Sequence, residues 1–338
     1  MSSPKSEIAL SVLDTSPIVA GANARTALLN TLDLACLAES LGFSRYWVPE
    51  HHGMRGVACS ATSVVIDRIA SVTARIRVGS GGVLLPNHSP IVLAEQFGTL
   101  EIFHPGRIDL GVGRALGGKQ QVAELVRSES ERSKKSFEEQ FDELLSYFRL
   151  GGAAYAVPAS GNQPSIWMLG STEHSARLAG AMGLGYAFAG HLNPTGVEGA
   201  VRTYRQVFKE AAHDSMPRTI VSIPVIAADS DERADWLASS IKAKILARHR
   251  RSPILLPAPA DVNMRCLSEA DEMLLNEKFS GYIVGSSANV AKQIQQLINA
   301  TGVNELMITT PIYSHVDRRK SYEICAQLAP LLTETARN

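Results

Sequence analysis

The feature that most constrains the fold is a regular alternation of short apolar runs with longer segments of helical periodicity. Such alternation predicts a parallel sheet, because each strand needs a crossover helix before the chain can return to the same edge. Eight units within 338 residues favour one closed (β/α)8 TIM barrel covering residues 1–338, with an open doubly wound sheet as the alternative. The predicted strands cover residues 8–13, 43–48, 76–85, 108–112, 165–169, 186–189, 220–227 and 305–309.

Two segments between the predicted strands bear on the architecture. Residues 124–151 are highly charged and carry apolar residues at helical spacing, which predicts one long helix with a solvated face. Residues 60–74 are also predicted to be helical, with Ser60 as the N-cap. Residues 252–284 contain three prolines and break the rhythm, so we interpret them as an irregular excursion that covers a site.

The composition excludes several classes of partner. Lys plus Arg equals Asp plus Glu at 33 each, which argues against nucleic acid or a membrane surface as the main ligand. The four cysteines are scattered without metal-ligand spacing, so reduced thiols in a cytoplasmic protein are expected, with no metal site. The N-terminal residues lack the apolar core of a signal peptide, and no apolar run reaches membrane-spanning length.

The glycine-rich stretch from Gly106 to Lys119 almost matches two nucleotide motifs. The dinucleotide fingerprint would need glycine in place of Leu116, and the P-loop would need Ser or Thr in place of Gln120. A strand end of this kind, followed by Arg114, is a common place to hold a phosphate. We therefore expect an anion-facing strand end that belongs to neither nucleotide fold.

Polar and glycine residues gather where the predicted strands end, which is where a barrel carries its chemistry. They are Glu50-His51-His52, Ser80-Gly81-Gly82, Gly113-Arg114, Gly170-Ser171-Thr172, His191 and Thr310-Pro311-Ile312-Tyr313. Trp47, Trp167 and Phe188 could line an aromatic pocket, although core packing is the expected role of each.

At this point the chain resembles the bacterial luciferase-like flavin-dependent monooxygenases along most of its length. The resemblance rests on the order and spacing of residues 47–52, 78–90, 106–114 and 170–172. Within that family it is similar to the oxygenases that tailor aromatic polyketides, such as the one from mensacarcin biosynthesis. It departs from the luciferase α subunit, which has cysteine at the position of Gly113, so light emission is not implied.

The resemblance implies roles for individual residues. His51 would be the catalytic base or hydrogen-bonding partner beside the flavin, whereas His52 is expected to be a structural histidine. The cofactor-binding residues would be Gly81, Gly82, Arg114, Leu116, Ser171 and Thr172.

Each of these assignments has a structural alternative. His51 could be bonded to Glu50 or to backbone, and Arg114 could form a surface salt bridge. Gly81 and Gly82 would lie under the isoalloxazine at a non-proline cis peptide bond, although a simple β-bulge would also explain them. Ser171 and Thr172 would contact the flavin phosphate at a helix N-terminus, or simply cap that helix, and an ordinary loop leucine would explain Leu116 nearly as well.

The function implied by the resemblance is a two-component monooxygenase. A separate flavin reductase would supply reduced FMN, O2 would form a C4a-peroxyflavin, and an oxygen atom would pass to an organic substrate. The alternatives are an F420-dependent reductase on the same fold and a non-catalytic flavin-binding partner subunit. The resemblance also implies a homodimer that packs helices 60–74 and 90–103, through Val64, Val65, Ile69, Leu93 and Phe97, unless these residues belong to the barrel core.

Overall fold

Parallel strands close into a barrel, as predicted. The computed structural model describes residues 8–115, 120–151, 156–209, 216–264 and 267–332. The strands of these ranges are β1 (Ala9–Leu13), β2 (Arg45–Val48), β3 (Arg77–Ser80), β4 (Val83–Leu84), β5 (Ile108–Gly113), β6 (Ser165–Gly170), β7 (Gly185–Phe188), β8 (Thr219–Ala228), β9 (Ile283–Ser286) and β10 (Glu305–Thr309). The barrel runs β1-β2-β3-β5-β6-β7-β8-β10, and β10 closes it by pairing in parallel with both β8 and β1.

Helices surround the barrel and follow the predicted alternation. They are α1 (Ala24–Ser40), α2 (Thr62–Val72), α3 (Pro90–Phe103), α4 (Gln120–Val126), α5 (Glu129–Arg132), α6 (Phe137–Phe148), α7 (Glu173–Ala181), α8 (Val197–Val207), α9 (Asp231–His249), α10 (Glu269–Lys278), α11 (Ser287–Thr301) and α12 (His315–Leu328). No helix within the described ranges is both long enough and apolar enough to cross a bilayer.

The interior of the barrel has an apolar layer above an ionic one, because side chains alternate along each strand. The apolar layer is a cluster of Leu13, Trp47, Trp167, Ala187, Ile220 and Met307. Below it, near the strand beginnings, Arg45 donates to Asp109 at 2.9 Å and to Glu305 at 3.0 Å. Arg77 also donates to Asp109, at 2.6 Å. Paired charges therefore fill the N-terminal end of the barrel.

The structure corrects two local predictions. Residues 124–151 do not form one helix: α4, α5 and α6 are separate, because Ser128 and Ser136 lie at N-cap positions, and Ser136 forms a capping box with Glu139. Ser60 does not cap α2, which begins at Thr62 after Ala61 with no side-chain cap.

The segment that interrupts the alternation is more regular than predicted. Residues 252–284 include α10 and the start of β9, which pairs with the C-terminal half of β8. Together with α9 they bury a second apolar cluster that includes Leu237, Ile241 and Leu256. Ile312, which follows β10, belongs to the same cluster, so this unit packs against the C-terminal end of the barrel.

Candidate active site

The turn after β2 holds two histidines in different environments. Both carboxylate oxygens of buried Glu50 are occupied, by Nε2 of His52 at 2.8 Å and by Nε2 of His88 at 2.8 Å. Burial opposes the charge of Glu50, but these bonds and the Leu84 N–H outweigh it and hold the pKa below its ordinary value. His52 is therefore the structural histidine that the sequence predicted.

His51 faces another way. Its backbone N–H donates to the Cys59 carbonyl at 3.1 Å, but its Nδ1 is buried and has no hydrogen-bond partner in the described structure. Burial lowers the pKa of His51, and the charge of Glu50 offsets only part of that effect. The imidazole is thus neutral near pH 7 and keeps a nitrogen available for a ligand or a proton.

The peptide bond between Gly81 and Gly82 is cis, as the resemblance implied. Packing inside the barrel also bears on the choice of glycine at these two positions. A Cβ at position 81 would lie 2.8 Å from the Leu13 side chain, and one at position 82 would lie 2.9 Å from the Gly111 carbonyl oxygen. Close packing against the Gly111 backbone therefore already requires glycine at position 82, whereas the Leu13 side chain could shift to admit a Cβ at position 81.

A cavity of about 40 Å³ lies beside Gly81 at the barrel mouth. Trp47, Phe188 and Met307 are among its apolar walls, and His191 and Ser222 are its polar lining. Burial, together with the charge of His51, lowers the pKa of His191 to about 4. Trp47 and Phe188 line this cavity, whereas Trp167 packs under the guanidinium groups of Arg45 and Arg218, at 4.8 and 4.5 Å from its ring centroid.

Arg114 and the turn at 170–172 are adjacent across two paired strands. Gly113 pairs with Leu169 in the β5–β6 register, so Arg114 follows one strand where Gly170 ends the other. Arg114 is exposed, and no described carboxylate forms an ion pair with it. The alternative of a surface salt bridge therefore finds no described partner.

The hydroxyl group of Thr172 caps α7 by accepting from the Ser175 N–H at 3.5 Å. Ser171 contributes its carbonyl, which accepts a hydrogen bond from Asn193 at 2.9 Å. Helix capping is thus observed for Thr172, and it is compatible with a phosphate nearby. Leu116 lies outside the described residues.

A separate groove of about 480 Å³ lies on the outer side of Thr172. Glu173, Glu198 and Arg202 are among its lining residues, and Arg202 pairs with Glu198 at 3.5 Å. The groove thus holds two carboxylates and one guanidinium that is already paired, so its net negative charge disfavours the binding of an anion. A phosphate at this turn therefore fits better on the side of Arg114.

Sequence reasoning missed two polar residues of this site. Ser222 lies within β8 and looks like an ordinary strand residue. His88 lies in the 78–90 stretch that carries the resemblance, but no role was expected for it. His191 stood out only as a strand-end residue. The useful signal for Ser222 was a hydroxyl between the apolar residues Val221 and Ile223, in the middle of a strand buried throughout.

A closed parallel barrel with polar residues at the C-terminal ends of its strands defines a TIM-barrel scaffold of the kind that carries enzyme active sites, and comparison with known proteins gives the family. The model of the luciferase-like monooxygenase family matches residues 9–305, so the chain belongs to that family. It is similar to the luciferase-like monooxygenase of Escherichia coli strain K12, with 39% identity over 94% of this chain and 96% of that protein. It is also 31% identical to the N-acetyl-S-alkylcysteine monooxygenase of Bacillus subtilis strain 168, covering 94% of this chain and 97% of that protein.

Solved structures agree with this membership. Apo-MsnO8 superposes with a TM-score of 0.85 and 31% identity over 97% of this chain and 100% of that one. The oxygenating constituent of 3,6-diketocamphane monooxygenase from Pseudomonas putida, in complex with FMN, superposes with a TM-score of 0.73 and 20% identity. The match covers 97% of this chain and 99% of that one. An F420-dependent secondary alcohol dehydrogenase superposes with a TM-score of 0.67 and 14% identity over 97% of this chain and 100% of that one, so it shares the fold.

Proposed function

We propose that this protein is the oxygenating component of a two-component monooxygenase that uses reduced FMN and O2. The observation that carries the proposal is the barrel mouth itself, where the buried Nδ1 of His51 and the guanidinium of Arg114 beside the turn 170–172 have no partner among the described residues. Reduced flavin would be supplied by a separate flavin reductase, since the sequence carries no NAD(P)H fingerprint. Bound reduced flavin activates O2 for transfer to an organic molecule.

The residues present fit this cofactor. Arg114 can bind a phosphate with two parallel hydrogen bonds, and Ser171 and Thr172 stand at the N-terminus of α7, where the helix dipole favours an anion. Gly81 and Gly82 would border the flavin ring, and Gly81 also lines the cavity that holds His191. Each residue would bind or orient the cofactor from a different strand end.

His51 would hold or move a proton next to the substrate. Because burial lowers its pKa, the imidazole is unprotonated at neutral pH and can accept a proton there. The apolar walls of the cavity, including Trp47 and Met307, would exclude water from the reacting atoms. The α9–α10 unit at the C-terminal end of the barrel would limit solvent entry from the same side.

We propose a secondary metabolite, an aromatic polyketide, as the substrate, supported by the similarity to MsnO8. The relative that acts on N-acetyl-S-alkylcysteine supports a second class, a thioether. Product analysis with a polycyclic aromatic phenol and with N-acetyl-S-benzylcysteine, in the presence of a flavin reductase, would separate the two. Incorporation of ¹⁸O from labelled dioxygen identifies the accepted class.

Cofactor choice tests the central proposal. The chain is titrated anaerobically with reduced FMN and with reduced F420, and the FMN complex is then mixed with O2 in a stopped-flow instrument. The oxygenase should bind FMN more tightly and change the kinetics of flavin reoxidation relative to free flavin. Preferential F420 binding would instead identify a reductase, and FMN binding without any effect on reoxidation would identify a non-catalytic partner.

The expected assembly is a cytoplasmic homodimer that meets its flavin reductase transiently. The outer faces of α2 and α3 carry exposed apolar side chains, with Val64 and Phe103 each 68% exposed. Of the five residues predicted for this face, Ile69, Leu93 and Phe97 are fully buried in the core, so they do not form it. A second copy would cover Val64, Val92, Ile102 and Phe103 instead.

A further inference from the structure

His191 is the polar residue of the cavity that the proposed function leaves without a role. The cavity of about 40 Å³ is otherwise lined mainly by apolar residues such as Leu169, Phe188 and Met307. This is space for about three water molecules. It therefore admits the tip of a larger molecule through the barrel mouth.

Ser222 bonds both the His191 ring and the Phe188 carbonyl. Oγ of Ser222 lies 2.7 Å from Nδ1 of His191 and donates to the Phe188 carbonyl at 3.3 Å. A hydroxyl has one proton, so while Ser222 donates to that carbonyl it accepts from His191. In this arrangement Nδ1 carries the imidazole hydrogen, and Nε2 is an unprotonated acceptor.

That acceptor has no partner among the described residues. The ring is fixed from one side by Ser222, while Nε2 makes no hydrogen bond to any described group. The ring stays neutral at physiological pH, because burial in an apolar site opposes protonation and keeps its pKa low. An acceptor held in a mostly apolar hollow selects a group that can donate.

We propose that this cavity is a substrate subsite in which Nε2 of His191 accepts a hydrogen bond from a hydroxyl or N–H group. The apolar walls hold the carbon that carries the donor, and Ser222 acts as a positioning residue that keeps Nε2 unprotonated. The ligand class is thus an alcohol, a phenol or an amide at its buried end. That the ligand is the substrate of the enzyme rests on the proposed function, whereas its binding in the cavity involves neither flavin nor oxygen.

The test compares phenol with fluorobenzene, which has nearly the same shape but no donor. Binding of both probes to the flavin-free protein is measured by ligand-observed NMR titration, in wild type and in His191→Phe. We expect the preference for phenol to fall about three- to tenfold in His191→Phe, the worth of one neutral hydrogen bond. Ser222→Ala should lose part of the same preference, because Nδ1 then lacks its acceptor.

A spectroscopic measurement distinguishes a hydrogen bond to Nε2 from an effect of the substitution on the shape of the cavity. In protein labelled with ¹⁵N-histidine, the resonance that disappears in His191→Phe is that of His191. Phenol should shift its unprotonated Nε2 signal and fluorobenzene should not. His104→Phe is the matched control, because His104 is bound to Asp67 at 3.0 Å on the helical layer, and it should leave the preference unchanged.

An unchanged preference in His191→Phe, or equal shifts of the Nε2 signal with both probes, would overturn the subsite. Failure of FMN to bind would overturn the proposed function while leaving this comparison interpretable. Conversely, normal FMN binding with an unchanged phenol preference would remove the subsite alone.

Discussion

The indole N–H of Trp47 donates to Oδ2 of Asp109 at 2.9 Å, so a wall of the mouth cavity is anchored on the ionic cluster below it. The same carboxylate accepts from Arg45 and Arg77 and is fully buried. The cluster at the N-terminal end of the barrel thus fixes the orientation of a residue in the candidate site.

Asp109→Asn should therefore destabilise the fold strongly. It removes the charge that Arg45 and Arg77 share, and loss of one partner of a buried ion pair costs about 3–5 kcal/mol. Urea unfolding monitored by circular dichroism measures the change. Asp142→Asn, an exposed carboxylate on α6, should change the free energy of unfolding by less than about 0.5 kcal/mol. Equal effects of the two substitutions would show that the cluster has no structural role.

Substitutions of His88 and His51 should have different effects on the stability of the fold. Removing His88 takes from Oε2 of buried Glu50 one of its two hydrogen bonds and leaves only that of the Leu84 N–H, so His88→Leu should cost about 1.5–3 kcal/mol of unfolding free energy, the worth of a hydrogen bond to a charged group. His51→Leu removes a buried nitrogen that has no described partner, and should leave stability within about 1 kcal/mol of wild type. Thermal unfolding of both variants at pH 7.5 compares them. A larger loss in His51→Leu would mean that His51 is structural.

Arg114→Ala should weaken the binding of FMN about tenfold or more and leave riboflavin almost unchanged. The two ligands differ in the phosphate, and a charge-assisted hydrogen bond is worth about 1.5–3 kcal/mol. Fluorescence titration of both ligands measures the difference, with Arg149→Ala, an exposed arginine after α6, as the control. Equal losses for FMN and riboflavin would remove Arg114 from the phosphate site.

The fold could be predicted from the sequence because strands and helices each leave a local, periodic pattern of apolar residues. Runs such as 108–112 alternate with helical segments, and the glycines and charges mark where strands end. The Gly81–Gly82 cis bond and the roles of His51 and Arg114 came from the resemblance. The ionic cluster could not be predicted, since Arg45 and Glu305 meet across 260 positions and only the barrel closure brings them together.

The pH dependence of stability should reveal the buried imidazole of His191. Burial and the charge of His51 lower its pKa from 6.5 to about 4, so between these values the unfolded chain binds a proton that the folded chain does not. Stability should thus fall as pH drops from about 6.5 to about 4, by at most about 1.4 kcal/mol per pH unit from this group. Other groups titrate in the same window, so the readout is the difference between wild type and His191→Phe. Parallel curves for the two proteins would contradict the assigned pKa direction.

The proposed dimer can be tested at its most exposed aromatic residue. Phe103 ends α3 and is 68% exposed, and a carboxylate placed there would have to be buried without a partner when a second copy covers the face. Phe103→Asp should therefore be monomeric in sedimentation experiments at a concentration where wild type is dimeric. Leu125→Asp is the matched control, because Leu125 is 87% exposed on α4 and is not one of the residues proposed for the α2–α3 face, so its substitution should leave the dimer intact. A monomeric wild type would exclude the dimer. A dimeric Phe103→Asp would exclude this face as the interface, because a partner that covered Phe103 would have to bury the new carboxylate without a counter-charge.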